Sequence, residues 1–354
     1  MSASASTKGK KVYSLPVVTW ALIGLSVAVY AAIAANPRED QLELYKVFGL
    51  TAQDPSFRNM LTSLFLHSDP LHLATNMVFL WIFGRGLERA LGVVGYLLLY
   101  VGSGLFASVT HLAIVWAFMP AAAAQPSLGA SGAIAGILGV YAIRFFRTKL
   151  RFVGIEVHPP VLLLVWLILQ VFLGMLSLYI DDPRLKSVDY WSHMGGFAFG
   201  IVVAYFTKMA SVGRREYLLN DAEDSFLRGT LLDVVRKYEA LLRYDKQDPF
   251  TNAELGRTWA LLEDDEQAIP YYKAAIDAYL AAGRDDEAYA RYQEMLRLMP
   301  ECALDSETVG RLARRLEETG RDSEALALLS KDSNTEQAAD GKPSTPSGRR
   351  GGAS

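Results

Sequence analysis

Long apolar runs between residues 16 and 207 constrain this chain more than any other feature of its sequence. From Ala90 to Ile143 there is no Asp, Glu, Lys or Arg. The mean hydropathy of the chain, +0.16, is too high for an ordinary soluble protein. Because a bilayer's hydrocarbon core is about 30 Å thick, a spanning helix needs about 20 mostly apolar residues. The sequence therefore predicts a membrane protein.

Six segments are long and apolar enough to be membrane spans. They are residues 16–35, 71–87, 93–118, 127–145, 160–180 and 190–207. Pro120 and the AAAAQPS stretch after it separate the third span from the fourth. The alternative for the first span is a cleaved signal peptide, because three lysines precede it and an Ala-rich AAIAA sequence ends it. A run of 20 apolar residues is long for such a signal, so we expect six retained spans.

Positive charges orient these spans. With the N-terminus cytoplasmic, twelve Lys and Arg residues flank the inner ends of the spans and five flank the outer ends. This excess favours both termini on the cytoplasmic side. We therefore expect a multi-pass integral protein of the bacterial plasma membrane.

Composition divides the chain further. Residues 1–13 and 331–354 are rich in Ser, Gly and charge without an apolar period, so we expect both ends to be disordered. Residues 14–209 hold the membrane spans, and residues 215–330 alternate charged and apolar side chains at helical spacing. The net charge of −3 argues against a nucleic-acid-binding protein. One cysteine, Cys302, excludes an intrachain disulfide framework.

Four strongly polar side chains stand near the starts of apolar spans. His72 and Asn76 are one turn apart in the second span, Ser131 begins the fourth, and His193 begins the sixth. Such groups are costly in a membrane and are therefore functional candidates. In the predicted orientation all three helices run inward from the outer surface, so the four side chains lie at a similar depth. Each one alone is more simply a packing residue or a partner of a neighbouring helix.

Together these residues fit acyl transfer. A serine hydroxyl is a weak nucleophile until a base takes its proton, and a neutral imidazole suits that role. Ser131 and His193 would form such a dyad, and His72, Asn76 and the Ser131 amide would stabilise the oxyanion. Asp189 lies at the outer edge of its helix and is not assigned, and neither are His67, His111 and His158. Small residues that would let the helices approach closely are Gly129, Gly132, Gly136, Gly196 and Gly200.

The motifs HSDPLHLATN, GASG and SHMGGFAFG resemble those of the rhomboid family of intramembrane serine proteases, over roughly residues 14–207. The resemblance implies Ser131 as the nucleophile, His193 as the general base, and His72, Asn76 and the Ser131 amide as the oxyanion site. It also implies structural roles for Gly84 and Glu88 in GRGLERALG. Many members carry an aromatic residue one turn after the serine to pack on the histidine, whereas this chain has Ala135 there.

Residues 215–330 resemble tetratricopeptide repeats with an irregular period. DDEQAIPYY, GRDDEAYARY and GRDSEALALL each place an alanine (Ala268, Ala288 or Ala325) where two helices would meet closely. Stacked helix pairs present a concave surface to a peptide or partner helix. The alternative is a plain helical bundle that docks on the membrane domain or dimerises.

We therefore expect an all-α protein: a six-helix membrane serine endopeptidase followed by a cytoplasmic tetratricopeptide-like domain. Its expected partners are transmembrane protein substrates, membrane lipid and a cytoplasmic protein bound by the repeats, and not nucleic acid. No metal or organic cofactor is implied. The alternative is a non-catalytic scaffold or pseudoprotease that binds transmembrane helices and recruits partners through the repeats.

Overall fold

The computed structural model of the chain describes residues 15–147, 150–152, 155–180, 182 and 188–330. The ends predicted to be disordered, residues 1–13 and 331–354, lie outside these ranges. The chain divides into two compact units, Met1–Arg214 and Arg215–Ser354. Separate apolar clusters fill the two units.

The first unit is built almost entirely of helices. In chain order these are α1 Val17–Ala34, α2 Arg38–Phe48, α3 Phe57–Thr62, α4 Pro70–Phe79, α5 Arg85–Phe118, α6 Ser131–Arg144, α7 Pro159–Tyr179, α8 Tyr190–Phe206 and α9 Met209–Leu227, the last of which runs into the second unit. A π-helical turn, Leu80–Gly84, joins α4 to α5. The structure supports the expected all-α class, with one short exception in the connection before α7, where strands β1 Leu150–Phe152 and β2 Ile155–Val157 pair antiparallel.

Fewer helices have full membrane length than the six predicted spans require. Among the described residues, three are long and apolar enough to cross a bilayer: Val17–Ala34, Pro70–Phe118 and Pro159–Tyr179. A bent pair, Tyr190–Phe206 with Met209–Leu227, adds a fourth only if it counts as one span. The continuous stretch Pro70–Phe118 contains a break, since Gly92 has φ 73° and ψ 171°. Glycine adopts that conformation without steric cost, so the stretch consists of two segments, residues 70–91 and 93–118, that meet at this break.

Helix α6 begins at Ser131, four residues later than the predicted span. Its 14 residues extend about 21 Å, which is shorter than a hydrocarbon core of about 30 Å. The preceding segment is irregular but held in place, because Ser127 and Leu50 exchange two backbone hydrogen bonds of 2.8 and 3.2 Å. Irregular backbone at membrane depth is tolerated where protein or a water-filled cavity surrounds it. Contacts with Leu50 therefore keep residues 127–130 outside this helix, which is shorter than the predicted span.

Helix α7 shows how the unit separates lipid-facing from protein-facing surface. Leu162, Leu169 and Phe172 are exposed along one side of the helix. Leu163, Gln170 and Gly174 are buried, at the i, i+7, i+11 spacing of a single helical stripe. Hydrophobic exposure on a membrane helix is what contact with lipid requires, so only the buried stripe faces other helices.

A buried carboxylate ties α5 to the start of α1. Glu88 accepts hydrogen bonds from the backbone N–H groups of Val18 and Thr19, both at 2.8 Å, and from the Thr19 hydroxyl at 2.7 Å. The first N–H groups of a helix lack intrahelical partners, and a carboxylate satisfies them with favourable charge. Nearby, a Cβ atom at Gly84 would collide with the Tyr96 hydroxyl. Glu88 and Gly84 therefore both have structural roles in this unit.

The second unit consists of amphipathic helices in short hairpins. Its further helices are α10 Leu231–Leu242, α11 Pro249–Leu261, α12 Asp265–Ala281, α13 Asp285–Leu298 and α14 Ser306–Glu318, followed by helical residues 322–330. Asp248, Asp264 and Asp305 begin three of these helices by accepting a bond from the amide three residues ahead. Ala268, Ala288 and Ala325 are fully buried where helices pack together.

Candidate active site

Ser131 and His193 lie 62 residues apart in the sequence and meet at the ends of two packed helices. Ser131 is the first residue of α6 and His193 lies in the first turn of α8. The Ser131 Oγ atom is 2.8 Å from His193 Nε2, which is hydrogen-bond distance. This is the spacing at which an imidazole can take a hydroxyl proton.

Glycines make this close approach possible. A Cβ atom at Gly196 would collide with the carbonyl oxygen of Gly132, and one at Gly200 would collide with that of Gly136. A Cβ atom at Gly132 would collide with the Cβ atom of Ala107 on α5. Backbone therefore packs directly on backbone between α6 and α8, as small residues permit in membrane helices.

The candidate oxyanion groups converge on the same place from α4. A Cβ atom at Gly129 would lie 2.8 Å from His72 Nε2 and 3.7 Å from Ser131 Oγ, so Gly129 leaves space beside both side chains. Its φ of 118° also favours glycine. Asn76 donates to the backbone carbonyl of His72 at 3.0 Å, which leaves its second N–H for another partner. His72, Asn76, Ser131 and His193 all line one cavity of about 740 Å³.

Local contacts fix the start of α4. Asp69 accepts from the His72 amide at 2.9 Å as the N-cap of the helix. That backbone hydrogen bond holds the pKa of the Asp69 carboxyl below its usual value. The Nδ1 atom of His72 lies 3.3 Å from the Ser68 hydroxyl, and the His67 ring packs edge-on against it. His67 is fully buried, and burial lowers its pKa to about 4.

His193 has a second partner that the sequence analysis missed. Its Nδ1 atom is 2.8 Å from Oε1 of Gln170 on α7. The signal was present in the sequence, because Gln170 is the one amide or charged side chain in the apolar run Pro159–Tyr179. The Trp166 ring, one turn earlier on α7, lies with its centroid 6.2 Å from that of His193.

Asp189 and His111, left without roles above, form a pair at the rim of the cavity. His111 Nδ1 is 2.6 Å from Asp189 Oδ2, which also accepts from the Ser127 hydroxyl at 2.7 Å. Asp189 caps α8 by accepting from the Ser192 amide at 3.1 Å. Burial raises the pKa of the Asp189 carboxyl, but the bonds from His111 and Ser127 outweigh it and lower the pKa to about 2. This network joins α5, the segment before α6 and the helix that carries His193.

Ala135, one turn after Ser131 on α6, places no aromatic ring beside His193. Ala135 is fully buried and, with Ser131 and His193, lines a second cavity of about 130 Å³. Phe79 and Trp166 line the same cavity. The imidazole of His193 is therefore held by Gln170 and the Trp166 ring rather than by a ring from α6. No group of three or more His, Cys, Asp or Glu side chains among the residues described above has the geometry to hold a metal ion.

Comparison with known protein families matches the part of the chain that holds the candidate site. Residues 54–210 match the family model described as the rhomboid domain. This match, with relatives that are named rhomboid protease or rhomboid-type serine protease, supports the rhomboid family. Together with the apolar helices, it supports an integral membrane location for this chain.

This chain aligns with only part of the length of each relative. The chain is 29% identical over 211 residues to Rhomboid protein 1, mitochondrial, from Saccharomyces cerevisiae, covering 58% of this chain and 57% of the yeast protein. It is 29% identical over 197 residues to Rhomboid protease GluP of Bacillus subtilis, covering 53% and 34%. It is 27% identical over 218 residues to Rhomboid protease AarA of Providencia stuartii, covering 56% and 76%. Since both mitochondrial and bacterial proteins match, a bacterial source remains a prediction.

Proposed function

We propose that this protein is an intramembrane serine endopeptidase that cleaves membrane-anchored proteins near the outer end of their transmembrane helix. The observation that carries the proposal is the 2.8 Å contact between Ser131 Oγ and His193 Nε2 inside a cavity at the starts of three helices. Relatives that are themselves called rhomboid proteases support the same reaction class.

In the proposed reaction, His193 Nε2 takes the Ser131 proton as Oγ attacks the scissile carbonyl carbon. The new oxyanion lies among the Ser131 amide, Asn76 Nδ2 and His72, which supply hydrogen bonds to the developing charge. Collapse breaks the C–N bond as the imidazolium gives its proton to the leaving amine. Water then attacks the acyl-enzyme, with His193 again as the base, and releases the acid and Ser131.

Topology is part of the proposal. The break at Gly92, together with α1, α6, α7 and α8, supports six apolar segments in the membrane, although α6 is short. The excess of Lys and Arg at the predicted inner ends supports cytoplasmic termini. The dyad then lies one to two turns below the outer surface, because Ser131 and His193 begin their helices.

A substrate helix must unwind locally before it can be cut. Its carbonyl cannot reach Ser131 while it is bonded to the amide four residues on. Gly or Pro near the outer end of the substrate span lowers that cost, by about 1 and about 3 kcal/mol respectively relative to Ala in a helix interior. The small residues around Ser131 further favour a small side chain, such as Ala, just before the cut.

The second unit is proposed to bind a cytoplasmic protein through tetratricopeptide-like hairpins. Gly256 supports this assignment, because a Cβ atom there would lie 2.8 Å from the Tyr272 ring on the next helix, α12. Tyr272, Ala268 and Ala288 are fully buried between helices, as repeat stacking requires.

The direct test uses purified full-length protein in lipid vesicles with a fluorescent single-span substrate. Wild type is expected to cleave, and Ser131→Ala and His193→Ala are each expected to lose activity by several orders of magnitude, because each removes one partner of the proton transfer. Mass spectrometry of the products should place the cut in the outer part of the substrate span.

Matched controls separate loss of chemistry from loss of fold. Ser26→Ala removes a buried hydroxyl from α1, remote from the dyad in the chain, and should leave turnover unchanged. Activity that survives in folded Ser131→Ala would contradict the proposal. A wild-type protein that binds the substrate span but never cleaves it would favour the scaffold alternative.

A further inference from the structure

Gln170 is a polar side chain inside an apolar membrane helix, a position that is costly without a partner in the protein interior. It lies in the middle of α7, between Pro159 and Tyr179, and is only 9% exposed. Its neighbours Leu169 and Val171 are exposed on the lipid-facing side. A polar group inside a membrane protein requires a partner within the protein interior. For Gln170 that partner is His193, whose Nδ1 atom lies 2.8 Å from Gln170 Oε1.

The direction of this hydrogen bond determines which nitrogen of His193 is basic. An amide oxygen only accepts, so Gln170 Oε1 requires a proton on Nδ1. A neutral imidazole then has a bare Nε2, the atom that lies 2.8 Å from Ser131 Oγ. With the proton on Nε2 instead, the ring would donate to Ser131 and could not act as its base.

Among the residues that the structure describes, no other side chain hydrogen-bonds to the ring in a way that supplies that selection. Ala135 has no polar atom and leaves a cavity beside the imidazole. The Trp166 ring lies tilted by 35° with its centroid 6.2 Å from that of His193, and it has no acceptor that would distinguish the two imidazole nitrogens. Asp189, the carboxylate that caps α8, already accepts from His111 and Ser127.

We propose, on the basis of the proposed protease function, that Gln170 is the positioning residue for His193, the neutral third member of a Ser131–His193–Gln170 relay. Through its side-chain oxygen it holds the imidazole in the orientation and tautomer that accept the Ser131 proton. During turnover the Nδ1–H stays on Nδ1, and only Nε2 gains and loses a proton. The amide dipole also stabilises the imidazolium that forms, but without the full charge of a carboxylate.

Two substitutions test this assignment on the full-length protein. Gln170→Met keeps the length of the side chain and removes the acceptor. We expect kcat to fall at least about tenfold with little change in KM, but by less than the roughly 10⁴-fold that the wrong tautomer costs when a carboxylate is the third member. Gln170→Glu restores an acceptor and adds charge, so it should retain more activity than Gln170→Met.

The pH profile gives a readout that loss of packing would not move. A carboxylate beside Nδ1 favours the protonated ring, so in Gln170→Glu the acid limb of kcat/KM against pH should shift upward by about one pH unit or more. Among the described residues, the titratable groups that share the cavity with His193 are Asp69 before α4, His72 on α4, His111 on α5 and Asp189 before α8. These groups are unchanged in both variants and cannot produce the difference.

Leu163→Ala is the matched structural control. Leu163 is buried on the same stripe of α7, two turns from Gln170, and lies in the apolar core. Its truncation should lower the thermal midpoint because it leaves a cavity. It should leave the acid limb of the pH profile where it is in wild type. An identical loss of kcat in Leu163→Ala and Gln170→Met, with no shift in Gln170→Glu, would overturn the proposal.

Nitrogen NMR tests Gln170 even if the protein is no protease. The chain has five histidines, so ¹⁵N-histidine labelling gives few signals, and that of His193 is identified by its loss in His193→Ala. Wild type should show the neutral ring protonated on Nδ1, and Gln170→Met should show a share protonated on Nε2. Wild-type protonation on Nε2 would overturn the positioning role. Absence of cleavage by a wild type with the Nδ1–H signal would overturn only the proposed function.

Discussion

Asn76 carries two amide hydrogens and uses one of them within its own helix. One N–H bonds to the His72 carbonyl at 3.0 Å, and the side chain lines both cavities next to Ser131. The intrahelical bond fixes the amide plane and leaves the second N–H for an oxyanion. This preorganisation is what makes such donors effective, since no reorganisation is needed when charge develops.

We expect Asn76→Ala to lower kcat about 10²- to 10³-fold, the usual cost of removing one oxyanion donor. KM should change little, because the lost bond forms mainly in the transition state. Steady-state cleavage of the fluorescent substrate gives both constants.

Asn36→Ala is the control for this experiment. Asn36 makes the same kind of bond, from Nδ2 to the Ala32 carbonyl at 2.8 Å, but it is exposed after the end of α1. Its truncation should leave turnover unchanged. An equal effect of both substitutions would remove Asn76 from the oxyanion site.

Helices α6 and α8 form the interface that sets the distance between Ser131 and His193. Gly196 and Gly200 on α8 lie against the carbonyl oxygens of Gly132 and Gly136 on α6. These contacts involve backbone, which cannot rotate away as a side chain can. The interface therefore has little tolerance for one added carbon atom.

Gly196→Ala should destabilise the protein by about 1–3 kcal/mol or more, the usual range for overpacking a close-packed core. It should also lower kcat, because α8 must move away from α6 and carry His193 with it. The thermal midpoint and the cleavage rate measure the two effects.

Gly24→Ala offers the same chemical change without the contact. Gly24 lies on the exposed side of α1, and a Cβ atom there meets nothing within 4 Å. We expect no loss of stability, since alanine favours a helix by about 1 kcal/mol over glycine. Comparable losses in both variants would show that helix propensity, and not the α6–α8 contact, governs the result.

The division of the chain between Arg214 and Arg215 leaves every candidate catalytic residue in the first unit. Ser131, His193, His72, Asn76 and Gln170 all precede that boundary. The second unit has its own buried cluster, which includes Tyr272, Met295 and Leu312. Every residue of that cluster belongs to the second unit.

Deletion of residues 215–354 should leave cleavage of a model substrate within a few-fold of wild type, while capture of a cytoplasmic partner is lost. Size-exclusion chromatography and the thermal midpoint in detergent establish that the truncated protein is folded before its activity is measured. A folded truncation without activity would make the second unit part of the catalytic machinery. Retained partner capture would place that binding outside the repeats.

Sequence alone determined the features that depend on composition and spacing. A bilayer accepts only long apolar segments, so the membrane character of residues 16–207 follows from hydropathy. Polar side chains are costly in such segments, so Ser131, His193, His72 and Asn76 were conspicuous as candidates for one site. The glycine pairs in α6 and α8 were visible as helical spacing.

Only the tertiary structure decided which polar groups became partners. Gln170 stands out as a polar residue in its apolar helix, as Ser131 does in its own. A single polar residue in an apolar run does not, however, indicate which helix packs against it. His111 and Asp189 are 78 positions apart and pair only because α5 and α8 pack together. Likewise α6 begins at Ser131 rather than four residues earlier, because contacts with Leu50 hold the preceding segment outside the helix. Pairing and helix ends depend on energies from distant residues, which local pattern does not contain.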